Sequence, residues 1–144
     1  MPASHSITKV SDVDVSGNVA YAVGVQDTPS GAVGVILQSS AGTGGFGAFT
    51  VLAQTVPPCT VGAGIDVVPI LNEVEIVPGS GPVWVAGQCG RVWRYTTSGG
   101  GLLVEFKSQT DAHVFGMTFP SSGIGYMACN RVDGSQSCIV GFNQ

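Results

Sequence analysis

Residues 71–106 constrain the fold of this chain more than any other stretch, because short apolar runs alternate there with turn-forming residues. In the first run Val74 and Ile76 alternate with Glu73 and Glu75, which is the two-residue period of a half-buried strand. Three further runs follow, at residues 83–87, 92–96 and 102–106. Glycine and proline separate the runs and supply the backbone angles that tight turns require. The stretch therefore predicts an antiparallel meander of four short strands.

The same unit recurs along the chain. Its first strands align at residues 12–15, 73–76 and 116–119, and its second strands at residues 21–24, 84–87 and 126–129. A repeat of roughly 40–50 residues with four strands per unit is typical of propeller blades. We expect one all-β domain, residues 1–144, with units at about 11–53, 71–107 and 113–143 and a connector at 54–70.

The third unit stops after its third strand, near Phe142. A propeller ring needs about 4–8 blades, so three blades cannot close one. We expect oligomerisation to complete the ring or the interface, so that the chain is not a stable monomer. Residues 5–10 alternate like a strand, and we expect them to fill the gap beside the third unit, from the same chain or from a neighbour.

Composition excludes several functional classes. With five basic residues and a net charge of −4, the chain lacks the clustered Lys and Arg of a nucleic-acid partner. No apolar run approaches the roughly 20 residues of a membrane span. The N-terminal residues carry no apolar signal-peptide core, so we expect no classical export signal.

One set of residues resembles a known family. Residues 83–87 (VWVAG), 90–94 (GRVWR) and 97–100 (TSGG) are similar to the photosystem II assembly/stability-factor type of propeller repeat, and more distantly to BNR, or Asp-box, repeats. The resemblance implies a propeller fold. The turn aspartate of that family is absent here, so the resemblance implies fold more than activity.

The four cysteines are disulfide candidates. Cys129 and Cys138 are symmetric about Asp133-Gly134, a dipeptide preferred in two-residue hairpin turns. They would face each other at a non-hydrogen-bonded pair, where Cα atoms are within disulfide range. Cys59 and Cys89 lie in connections at one edge of a meander, so a second bridge is permitted. Free buried thiols are the alternative, and the spacings do not suit zinc.

Other side chains give weaker signals. Trp84, Trp93 and Tyr95 are candidates for stacking on a carbohydrate ligand, although packing between blades is the alternative. Asp12, Asp14 and Asn18 offer too few oxygens for calcium, so a solvated strand face is the simpler interpretation. The two histidines have no nucleophile motif near them, which gives no support for a hydrolytic triad. We predict no catalytic residues, no metal and no cofactor.

These observations favour a non-enzymatic structural or scaffold subunit of a larger assembly, such as a virion accessory or capsid decoration protein. Its partners would be other copies of itself and other proteins, in a virion or an extracellular assembly. Two alternatives remain open, an oligomeric propeller lectin that binds carbohydrate and a factor that assists the assembly of a protein complex.

Overall fold

The structure, a computed structural model, describes residues 6–56, 59–61, 65–67, 71–79, 82–96, 102–107, 112–131 and 135–143. Over these residues the chain is all-β and antiparallel, as the sequence predicts. The strands are β1 (Ser6–Ser16), β2 (Val19–Thr28), β3 (Gly31–Gly42), β4 (Gly45–Phe46), β5 (Thr50–Val56), β6 (Cys59–Val61), β7 (Ile65–Val67), β8 (Leu71–Ile76), β9 (Val83–Gly87), β10 (Val92–Thr96), β11 (Leu102–Lys107), β12 (Ala112–Ser121), β13 (Ile124–Arg131) and β14 (Ser137–Asn143). One short 3-10 turn, Gln88–Gly90, lies between β9 and β10.

The first sheet contains β1 to β5, with β3 paired to β2, to β4 and to β5. Register shifts interrupt the β1–β2 ladder twice and the β3–β5 ladder once. Such bulges bend the strand that carries them and increase its twist. The expected role of residues 5–10 is wrong, because residues 6–10 form the start of β1 and pair with β2 of the same chain.

The second sheet is a four-stranded meander in the order β11-β10-β9-β8. Its strands lie where the apolar runs of residues 71–106 predict them. All five residues of β9 are buried, which requires that both faces of this sheet be covered. The third sheet has three strands in the order β12-β13-β14. The predicted connector contains a small two-stranded ribbon, β6–β7, which the sequence pattern does not reveal.

Two apolar clusters pack the sheets together. Between the first and second sheets, Tyr21 and Val23 pack with Val74, Val85 and Tyr95. Between the second and third sheets lie Trp84, Ala86, Val92, Val114, Met117, Phe119, Met127 and Cys129. The second sheet is therefore the middle layer, buried by the first sheet on one face and by the third on the other.

Gly24 is the glycine with the tightest surroundings in the first sheet. A Cβ atom at this position would collide with the backbone carbonyl of Lys9, next to the bulges of β1. Because the obstacle is backbone rather than a flexible side chain, the strand must move to admit even one methyl group. The close approach of β1 therefore requires glycine at position 24.

We predict that Gly24→Ala lowers the free energy of unfolding by about 1–3 kcal/mol, the usual cost of overpacking. Gly42→Ala is the control, because a Cβ there meets no atom within 4 Å. Urea denaturation of both variants measures the effect. Equal stability of the two variants would contradict this account of the bulged strand.

Candidate functional site

The first strands of the three sheets meet along one line, with β8 in contact with both β1 and β12. Each is the first strand in its sheet and has one edge that no neighbouring strand covers in the described sheets. The side chains at this junction are mostly acidic. We call Asp12, Asp14, Glu73 and Glu75 the carboxylate row, because their charges act on one another.

Asp12 and Asp14 join the first sheet to the second. The carboxylate of Asp12 accepts a hydrogen bond from the backbone N–H of Val74 at 2.9 Å, and that of Asp14 accepts one from Ile76 at 2.7 Å. Hydrogen bonds to charged acceptors are stronger than neutral ones. The interpretation of these two aspartates as a solvated strand face is wrong, because both are half-buried and bonded to another sheet.

The junction between the second and third sheets uses polar side chains in a similar way. The amide of Asn72 donates to the carbonyl of Val114 at 2.8 Å. His113 Nδ1 accepts a hydrogen bond from the backbone N–H of Cys89 at 3.1 Å. This bond requires an unprotonated Nδ1, so the ring proton of the neutral histidine resides on Nε2. Partial burial, which lowers the pKa of His113, favours the same neutral form.

The carboxylate row has unusual electrostatics. Burial, and after it the negative charges of Asp12 and Glu75, raise the pKa of Glu73 from 4.5 to about 7. Burial also raises the pKa of Glu75, with the charge of Asp14 as the next cause, while a hydrogen bond with the backbone of Phe119 opposes the shift. At neutral pH the row therefore holds a proton on Glu73 in part of the molecules.

The row does not form a metal centre. In the part of the chain that the structure describes, no group of three or more His, Cys, Asp or Glu side chains is placed to hold a metal ion. Three of the four carboxylates, those of Asp12, Asp14 and Glu75, already accept backbone hydrogen bonds. What the arrangement offers chemically is attachment between sheets and uptake of a proton near neutral pH.

The cysteine predictions have separate outcomes. A disulfide joins Cys129 to Cys138 with a Cα–Cα distance of 5.0 Å, as predicted, and the two residues face each other across β13 and β14. Cys89 is also disulfide-bonded and has a left-handed backbone with φ of 64°. The side chain of Cys59 lies outside the described side chains, so the Cys59–Cys89 pairing stays a prediction. The backbone of β6, which contains Cys59, does lie against the 3-10 turn that contains Cys89.

The three rings proposed for ligand stacking lie in the interior. Trp84 is fully buried, and Trp93 and Tyr95 are almost fully buried. Trp84 packs on Phe119 with ring centroids 5.5 Å apart, and Tyr95 packs near Tyr21 at 6.1 Å. These contacts join one sheet to the next, which favours the packing interpretation of all three rings. Tyr126 aligns with Trp84 in the repeat, yet 45% of its surface is exposed.

Searches of protein-family models, curated proteins and solved structures find no match to this chain. The resemblance to propeller repeats thus stays an expectation from the residues quoted above. None of the helical segments in the described ranges is long and apolar enough to cross a membrane.

The pKa of Glu73 predicts a pH dependence of stability. Because its folded pKa is about 7, above the ordinary value of 4.5, the folded state binds the proton more tightly than the unfolded state. This contribution to stability is fully present below 4.5 and is lost as pH rises through 7. Glu73→Gln should therefore stabilise the protein at pH 8 by about 1 kcal/mol after allowance for solvent screening, and the gain should shrink towards pH 5.

Thermal unfolding of wild type and variant at pH 5 and pH 8 measures this difference, which corresponds to a rise in Tm of about 3–5 °C at pH 8. Asp27→Asn is the matched control, since Asp27 is exposed and lies outside the carboxylate row. A gain from Glu73→Gln that is the same at both pH values would contradict the raised pKa.

Proposed function

We propose that this chain is a non-enzymatic structural subunit that associates with copies of itself, and that its three sheets act as consecutive blades of a propeller-like stack. The observation that carries the proposal is that the third sheet buries one face against the second sheet and exposes apolar side chains on the other, while valines of β1 are exposed on the first sheet. Exposed large apolar side chains include Val10, Val13, Val15, Val51, Phe115, Ile124, Tyr126 and Ile139. Exposed apolar patches, where they are contiguous, mark interaction sites.

The order of the strands supports the blade interpretation. Each sheet begins with the strand at the common junction, and the next strands follow outward in sequence, as in β8-β9-β10-β11. The sheets pack face to face through apolar clusters. A closed ring of such sheets needs more than three members, and additional copies of the chain would supply them.

The surface chemistry agrees with a subunit of an assembly. Only 10% of residues are charged, and two described cysteine positions are bridged to each other. Disulfides persist in oxidising surroundings such as secreted material and particle surfaces. A virion accessory or capsid decoration protein is a subunit of this type. The carbohydrate-binding alternative is not supported by Trp84, Trp93 and Tyr95, because their rings are buried between sheets.

The proposal predicts that the native chain in solution has a mass above 14.6 kDa, the mass of one copy. Association also makes the midpoint of thermal unfolding rise with protein concentration, because the folded state binds other folded copies. Light scattering coupled to size exclusion, over a concentration series from about 1 to 100 μM, measures the mass. A folded species that stays at the mass of one copy throughout the series contradicts the proposal.

A further inference from the structure

The third sheet has an edge that no other strand of the described sheets covers. Its last strand, β14, pairs with β13 alone. The third strands of the other two large sheets each have an outer neighbour, because β3 pairs with β5 and β10 pairs with β11, both antiparallel. Residues 6–10 are engaged in the β1–β2 ladder and leave the place beside β14 open. Within the described sheets, the position of a fourth strand is thus filled twice and vacant once.

The edge of β14 lacks the features by which natural edge strands avoid further pairing, which are charged side chains, proline and bulges. Its sequence, SCIVGFN, contains neither a charge nor a proline, and its register with β13 is unbroken over seven pairs. The outer edge of the second sheet differs, since β11 carries Glu105, Lys107 and a register shift. The β1 edge carries three charged residues and two register shifts. The whole length of β14 is therefore open to strand addition.

The burial of β14 indicates which side chains an added strand would need. Cys138 and Val140 pack against the cluster between the second and third sheets but are only half-buried, whereas Cys129 and Met127 beside them on β13 are buried. On the opposite side of the strand, Ile139 is 82% exposed. A neighbouring strand with apolar residues at every second position would cover Cys138 and Val140. A charged residue there would lose its water without gaining a partner.

The disulfide prepares the edge for binding. The bridge between Cys129 and Cys138 ties β14 to the middle strand of its sheet. A strand that is already held in place has less conformational freedom to lose when a second strand pairs with it. In recognition by strand addition, backbone hydrogen bonds supply affinity and alternate side chains supply specificity.

We infer that β14 binds an extended segment of another protein, which adds to the third sheet as an antiparallel fourth strand with apolar residues at every second position. The chain's own β11 has this pattern, because Leu102, Val104 and Phe106 occupy alternate positions. In a second copy of the chain, β5 and β11 are already paired in their own sheets, so a different polypeptide is the occupant. The inference goes beyond the proposed function and does not depend on self-association.

Two synthetic peptides are the probes, one with the sequence of residues 101–108 (GLLVEFKS) and one with that of residues 50–56 (TVLAQTV). Amide hydrogen exchange of the full chain is measured by NMR with and without each peptide, and light scattering gives the mass of the chain alone. At saturating peptide, every second amide of β14 should exchange about tenfold more slowly or more, because alternate amides of an edge strand are unpaired before binding. The amides of β9, which has a neighbour on each side, should be unchanged.

Two modified forms of the first peptide are matched controls. One is N-methylated at the residues that correspond to 102, 104 and 106, and the other at those that correspond to 103, 105 and 107. The amides of a strand alternate between its two edges, so only one form keeps the edge that pairs with β14. That form should bind like the unmodified peptide, and the other should bind about tenfold more weakly or worse.

Three results would overturn the inference. If neither peptide slows exchange in β14, the edge does not accept a strand. If the two N-methylated peptides bind equally well, side chains rather than backbone groups make the contact. If every amide of β14 exchanges slowly without peptide and the chain has the mass of two copies, a second copy occupies the edge, which would support the proposed function. A chain that stays at the mass of one copy and yet binds the peptides as described supports this inference while contradicting the proposed function.

Discussion

Burial of the second sheet on both faces is the interaction on which the rest of the structure depends. In β9, Val83 and Val85 point into the cluster shared with the first sheet, while Trp84 and Ala86 point into the cluster shared with the third. A strand that alternates between two buried faces must be apolar at every position. The third sheet is covered on one face in the described residues, so its open apolar face is a consequence of which sheet lies in the middle.

The carboxylate row determines how the first sheet is positioned against the second. An edge strand presents unpaired backbone groups that would otherwise recruit another strand. In β8, two of these N–H groups donate hydrogen bonds to Asp12 and Asp14 of β1. These bonds fix the position of the first sheet relative to the second. The arrangement places four carboxylates close together, and the raised pKa of Glu73 is the electrostatic consequence.

Local features were predictable from the sequence, and features set by neighbouring sheets were not. The strands around Trp84 and Trp93 follow from apolar runs between turn residues, and the Cys129–Cys138 bridge follows from the hairpin register. The partners of Asp12 and Asp14 are 62 residues away, and no local pattern specifies them. Tyr126 matches Trp84 in the repeat yet is exposed, because the third sheet lacks a neighbour on that side among the described residues.

Amide hydrogen exchange at Val74 and Ile76 tests the attachment of the first sheet to the second most directly. The account predicts slow exchange at both amides in the wild type, although they lie on the free edge of β8. Asp12→Ala should accelerate exchange at Val74, and Asp14→Ala at Ile76, each by about tenfold or more, given the strength of hydrogen bonds to charged groups. The Val85 amide in the middle of the sheet should be unchanged. Equal exchange at Val74 and Ile76 in wild type and variants would contradict the account.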